Sequence, residues 1–189
     1  TVDILTEGGN SISLIGKTLG VVGFGGIGTM VARRAEGYAM KVIYTKRTKD
    51  EKSVELDELL ATSDVVTLHV PLTDETRHMI NKESLAKMKK GSYLINTARG
   101  PIVDEHALVD SLRDGHLAWA ALDVFDNEPN IDPELIGMPN VITTPHIASA
   151  THEAREAMAA LAVGGILDTL SSKIPVNIVN KEVWENRRK

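Results

Sequence analysis

The chain has 189 residues, 42% of them hydrophobic but only 4% aromatic, so it can bury one domain-sized core built from Val, Ile, Leu and Ala. It contains no cysteine, which excludes disulfides, thiolate nucleophiles and cysteine-ligated zinc and fits a reducing, cytoplasmic compartment. A net charge of −5 argues against nucleic acid or an anionic membrane surface as the main partner, and no apolar run reaches the ~18 residues of a membrane span.

Thr1 rather than Met opens the chain, so further sequence is expected upstream, and no signal peptide is visible. Strand-like runs are read at 19–23, 41–45, 65–70, 93–97, 117–124 and 141–144. Most are continuously apolar, as in parallel strands buried on both faces. The first leads into Gly23-Phe24-Gly25-Gly26-Ile27-Gly28 and then a helix over 27–38. In that context the first glycine permits the tight turn, the second the approach of a pyrophosphate, and the third close packing of helix on strand. The N–H groups at the helix start would face the phosphates.

At the end of the second strand an Asp or Glu would hold the ribose of NAD. Thr45-Lys46-Arg47-Thr48-Lys49 stands there instead. Two readings are open: a solvated basic loop, or a seat for a 2′-phosphate gripped by Arg47 with help from Thr45 or Thr48. The second implies preference for NADP, with NAD as the alternative. A short helix follows around Leu56, Leu59 and Leu60, and another is capped by Asp104 and stopped by Gly115. A long one spans 150–170, where Gly164-Gly165 suggests close packing. Strand and helix thus alternate as in an α/β, three-layer, doubly wound parallel sheet. The basic end, Arg187-Arg188-Lys189, reads as a solvated tail.

Three more motifs fall where strands end, the edge at which such sheets bind ligands. Arg99 lies in the turn after the fourth strand, where its fork could hold a carboxylate and polarise a carbonyl. His146 follows Pro145 after the last strand. Glu128, on a loop after another strand, is its candidate partner, since a carboxylate bonded to imidazole orients the ring and favours the protonated form that a proton donor needs. Asp123 is the next candidate, for contacting the cofactor or orienting the pair. The other histidines read as surface or packing residues, with His69 able to line the cleft.

From residue 15 to 171 the chain resembles the coenzyme-binding domain of the D-isomer-specific 2-hydroxyacid dehydrogenases. The likeness rests on Gly16-Lys-Thr-Leu-Gly20 before the glycine loop, His69-Val-Pro-Leu-Thr73, Asn96-Thr-Ala-Arg-Gly100-Pro-Ile-Val-Asp104-Glu, Leu122-Asp-Val-Phe125 with Glu128-Pro129, and Thr144-Pro-His-Ile-Ala-Ser-Ala-Thr151. The resemblance implies a Rossmann-type lobe of six or seven strands, with His146 as acid/base, Glu128 as its partner and Arg99 as substrate anchor. It also implies Asp123 near the nicotinamide, Pro71 near the adenosine half, Thr97 beside the cofactor, and a homodimer through this lobe, with 158–166 a candidate contact. The turn at Arg47 looks most like that of NADPH-dependent glyoxylate and hydroxypyruvate reductases. An NAD-linked enzyme of phosphoglycerate or D-lactate type, or a non-catalytic dinucleotide-sensing scaffold, are the alternatives.

Two features depart from the family pattern. Trp119 stands where the family usually has a small residue, so packing beside that strand is expected to differ. The glycine loop begins at Gly23, leaving no room before it for the substrate lobe. The expectation is therefore a single lobe over 1–189, with a core of about 15–149, that binds cofactor with little or no turnover alone.

Overall fold

The computed structural model describes residues 12–186. Its strands are β1 (Thr18–Val22), β2 (Lys41–Thr45), β3 (Val65–Leu68), β4 (Ser92–Asn96), β5 (Leu117–Leu122) and β6 (Val141–Thr143). They form one parallel sheet in the order β2-β1-β3-β4-β5-β6. The helices are α1 (Gly26–Gly37), α2 (Leu56–Thr62), α3 (Lys82–Lys87), α4 (Glu105–Arg113), α5 (Pro133–Gly137) and α6 (His152–Leu170). Because β1 lies between β2 and β3, the chain reverses its direction of travel across the sheet there. That reversal opens a crevice beyond the carboxyl ends of β1 and β3.

Alternation along each strand sorts side chains to two faces. Leu19, Val21, Val65 and Tyr93 pack with Val31 and Ala35 of α1 on one face. Val22, Val66, Leu68 and Leu94 pack on the other with residues of α2, α3, α4 and α5, among them Leu59, Leu85, Leu108 and Leu135. Gly20 belongs to this second face, and a Cβ on it would lie 2.5 Å from Leu59 Cδ2 and would also strike the Ser63 hydroxyl. Trp119 lies beside a local irregularity of the sheet. The register slips between Ser92 and Tyr93, so Ala118 and Trp119 both pack on the α1 face.

The register also aligns the strand ends. Val22 is level with Thr45 and Leu68, Leu68 with Asn96, Asn96 with Leu122, and Leu122 with Thr143. Gly23, Lys46, His69, Thr97, Asp123 and Thr144 therefore leave the sheet side by side. Several predicted strands run one or two residues beyond this row. They stop short because the chain turns out of the sheet at once, with Gly23 already at φ +96°.

Asp104 caps α4 as expected, accepting from the Ala107 N–H at 3.1 Å, and Gly115 takes φ +68° past its end. Two short helices, α3 and α5, were not anticipated. The first rests on a reciprocal cap between Asn81 and Ser84, and the second on Asp132 with Pro133 at its start. Neither is long enough to show a helical period.

The chain divides into two compact units between His146 and Ile147. In the second, Thr151 caps α6 by accepting from the Ala154 N–H at 3.1 Å, and no residue of the helix is buried. The close packing expected at Gly164-Gly165 is not found among the described residues. A Cβ on Gly164 would meet nothing within 4 Å, and one on Gly165 only Asn177 and Pro175 at ordinary contact distance. The basic run Arg187-Arg188-Lys189 lies outside the described residues. No helix among the described residues is long and apolar enough to cross a membrane.

Candidate cofactor and active site

The glycine loop divides its labour physically. At Gly23 a Cβ would stand 2.6 Å from the His69 carbonyl oxygen and 2.8 Å from Val70 Cγ1, and the positive φ disfavours any L side chain. At Gly28 a Cβ would collide with the Gly23 carbonyl, so only glycine lets α1 lie this close to the loop. Gly25 and Gly26 are different, since a Cβ on either would meet nothing within 4 Å. Such a Cβ would stand in the open crevice, over the first N–H groups of α1, in the space a pyrophosphate needs. These residues fit a dinucleotide. Ile27, in the same turn, is 68% exposed.

The turn after β2 is tied to this loop. Gly23 N–H donates to the Thr45 carbonyl at 2.9 Å, and the Phe24 ring stacks on Tyr44 with centroids 3.7 Å apart. Lys46 pairs with Asp50 at 2.5 Å, and Lys49 pairs with Glu55. Arg47 alone of these three cations has no acid within 4.0 Å among the described residues. Its charge still reaches Glu75, whose carboxyl is held below its ordinary value mainly by the Thr73 hydroxyl and less by Arg47. Thr48 is exposed beside Arg47. Pro71, after β3, is also exposed, and its carbonyl accepts from the Thr76 hydroxyl at 2.7 Å. His69 shares a 3.0 Å hydrogen bond with Thr67 and is partly buried, which holds its imidazole below its ordinary pKa.

His146 and Glu128 meet. The imidazole Nδ1 donates to Glu128 Oε2 at 2.8 Å, while Glu128 Oε1 accepts from the Phe125 N–H at 2.9 Å. The bond from His146 is the largest influence on Glu128. Together with the Phe125 N–H it outweighs burial and keeps the carboxyl below its ordinary 4.5. His146 itself sits at φ +53°, with its N–H closing a tight turn onto the Thr144 carbonyl at 3.0 Å around Pro145. Thr144 is anchored in turn, its hydroxyl donating to Asp123 Oδ1 at 2.5 Å. Asp123 is buried, and its N–H donates to the Asn96 carbonyl at 2.9 Å.

Arg99 is on the same edge, and among the described residues no hydrogen bond or ion pair joins it to the pair. It is exposed, and its guanidinium donates to the Ala98 carbonyl at 2.6 Å. What holds its turn is buried Asn96, whose amide donates to the Arg99 carbonyl at 2.9 Å and accepts from the Ala98 N–H at 3.0 Å. Thr97, between them, is exposed. Gly100 presses so closely on the Phe125–Asp126 main chain that a Cβ there would overlap it. The Arg99 turn and the Glu128 loop are thereby locked together. Asn96, Gly100, Thr144, Tyr44 and Asp50 were not assigned roles from sequence. An Asn ending a buried strand was the one local sign, because its amide can bond the turn that follows.

An α/β sheet with a glycine loop at its switch point defines a dinucleotide-binding domain, and a carboxylate–imidazole pair stands on the same edge. Comparison names its relatives. Residues 6–148 match the D-isomer specific 2-hydroxyacid dehydrogenase, NAD binding domain family, and the chain belongs to that family, whose domain binds a nicotinamide dinucleotide. It is 48% identical over 178 residues to a glyoxylate reductase of Thermococcus litoralis, covering 90% of this chain and 54% of the relative. A glyoxylate reductase of Thermofilum pendens is 49% identical over 185 residues, with 92% and 54% covered. The chain thus spans about half the length of the curated relatives it matches. Among solved structures, a Thermus thermophilus protein superposes with a TM-score of 0.88 at 47% identity, covering 92% of this chain and 57% of its own. A glyoxylate reductase from Paecilomyes thermophila gives 0.84 at 40% identity, with 91% and 55% covered.

Proposed function

We propose that this chain is the coenzyme-binding lobe of an NADP-preferring 2-hydroxyacid dehydrogenase, an oxidoreductase acting on a small 2-oxo acid such as glyoxylate or hydroxypyruvate. The observation that carries this reading is the 2.8 Å bond from His146 to Glu128 on the edge that holds the glycine loop. With Nδ1–H committed to the carboxylate, Nε2 is the atom that exchanges a proton with substrate. In reduction it protonates the oxygen that becomes the hydroxyl, and in oxidation it removes that proton. Glu128 acts as the orienting partner. Arg99, turned from its own Ala98 carbonyl, holds the substrate carboxylate with a paired fork. A bound nicotinamide supplies or accepts the hydride. Asp123, through Thr144, fixes the strand end from which His146 rises.

The glyoxylate reductase relatives support the substrate class, and Arg47 supports the phosphate preference, since among the described residues Lys46 and Lys49 on either side of it are ion-paired and it is not. The exposed Met158, Leu161, Val163, Ile166, Leu167 and Leu170 lie around α6 and support its being covered by another surface, as in the expected homodimer.

A paired calorimetric titration with NADPH and NADH tests the cofactor reading. A charge-assisted contact of ~1.5–3 kcal/mol makes NADPH tighter by about tenfold to a hundredfold, and Arg47→Ala removes the difference. Equal affinities in the parent chain refute the preference. Glyoxylate turnover by a full-length protein carrying this lobe, abolished by His146→Ala, tests the chemistry.

A further inference from the structure

Asp50 ends the turn that carries Arg47, and its carboxylate is saturated. Oδ1 accepts from the Tyr44 hydroxyl at 2.9 Å, the Lys52 N–H at 3.1 Å and the Ser53 N–H at 2.9 Å. Oδ2 accepts from the same hydroxyl at 3.0 Å and from Lys46 Nζ at 2.5 Å. The turn is closed a second time by Ser53, whose hydroxyl donates to the Asp50 carbonyl at 2.9 Å and accepts from the Asp50 N–H at 3.0 Å. Val54 N–H then returns to the Tyr44 carbonyl at 2.9 Å, bringing the carboxylate back beside the end of β2.

An acid in this region invites comparison with the ribose-binding acid missing from the strand end. Its oxygens are already engaged by four donors, so it is built to hold protein groups rather than ribose hydroxyls. Two consequences follow. Lys46 is tied back onto Asp50, while Arg47, the next residue, has no acid within 4.0 Å among the described residues. The Tyr44 ring is pinned where Phe24 of the glycine loop stacks on it. The turn that selects the cofactor and the loop that cradles its pyrophosphate are thus braced together.

We propose that Asp50 is the positioning residue for cofactor selectivity, pinning Tyr44 against Phe24 and tying Lys46 back so that the turn holds Arg47 where it meets a 2′-phosphate. This rests on the NADP reading above. It assigns Asp50 no contact with the cofactor, so its effect travels through Arg47.

The test measures NADPH and NADH affinities by calorimetry for the parent, Asp50→Ala, Asp50→Asn, Arg47→Ala and the Arg47→Ala/Asp50→Ala double variant. Amide hydrogen exchange is followed without cofactor. Asp50→Ala weakens NADPH about tenfold and changes NADH less than about twofold, the size expected for losing a well-placed charge-assisted bond. Asp50→Asn, which keeps one acceptor oxygen but loses the charge that holds Lys46, falls between Asp50→Ala and the parent for NADPH. In the Arg47→Ala background, Asp50→Ala changes NADPH by less than about twofold, because the two act as one unit. Exchange at the Lys52 and Ser53 amides speeds up about fivefold or more in Asp50→Ala.

A parallel loss of both cofactors, an unchanged affinity ratio, the same loss without Arg47, or unchanged amide exchange overturns the proposal. If Arg47→Ala binds NADPH as tightly as the parent, the phosphate reading fails and takes this one with it. An intact Arg47 effect with no Asp50 effect overturns only the role of Asp50.

Discussion

Gly100→Ala places one methyl group where the structure has no room for it. Gly100 is buried, and its φ is not positive, so alanine meets no intrinsic backbone objection. The obstacle is space. The new Cβ would fall inside 3.0 Å of the Phe125 carbonyl group and the Asp126 nitrogen, all main-chain atoms that cannot rotate away. Overpacking costs about 1–3 kcal/mol, and a backbone-on-backbone overlap belongs at the upper end. For a chain of 189 residues, ~3 kcal/mol corresponds to a fall of about 6–12 °C in Tm. The displaced Phe125 also carries the N–H that holds Glu128 Oε1, so the imidazole on Oε2 shifts with it. A misplacement of ~1 Å at a reacting group can cost about a hundredfold in rate. The assay is thermal unfolding followed by circular dichroism, with Gly37→Ala as control. A Cβ on Gly37 meets nothing within 4 Å, and the residue ends α1 at an ordinary φ. That variant gains about 0.4–1 kcal/mol by restricting the unfolded chain. A Gly100→Ala midpoint within about 2 °C of the parent would refute the packing argument.

Two further outcomes concern pH. Glu128 has a lowered folded pKa, so its contribution to stability is full above its ordinary 4.5 and is lost as pH falls through the lower folded value. Glu128→Gln should therefore be less stable than the parent at neutral pH and converge with it in acid; denaturant midpoints that stay equal across the range contradict this. Asp64, at the opposite edge of the sheet, accepts from the Thr18 N–H at 2.8 Å and from Lys89 at 2.6 Å. Burial alone would raise its carboxyl, but Lys89, Thr18 and Lys17 outweigh it and hold it below 3.8. Asp64→Asn should lose about 1–2 kcal/mol at neutral pH, progressively less in acid, and bind cofactor as the parent does. Altered cofactor affinity in that variant would contradict the separation of the two edges.

Sequence by itself determined the elements that a period or a local cap can announce. The six strands were legible, most of them as continuous apolar runs between turn residues, α1 from the glycine loop before it, α2 from Leu56, Leu59 and Leu60, and α4 from Asp104 and Gly115 at its ends. The glycine loop was legible residue by residue, since each glycine answers a separate local demand for conformation or space. The same local information named Arg99, Glu128 and His146 at strand ends. Tertiary structure decided which of them meet. Glu128 reaches His146 because the Phe125 N–H holds its other oxygen and Asp123, through Thr144, fixes the strand end before His146, while the Arg99 guanidinium bonds the Ala98 carbonyl. Registers of neighbouring strands, which no single segment encodes, put the six strand ends on one row. The role of Asp50 was hidden differently. Its partners Tyr44, Lys46, Lys52 and Ser53 are near it in sequence, but a carboxylate in a charged turn reads as solvated because no period or cap announces how the turn closes. Only the fold sets Phe24 on the Tyr44 ring.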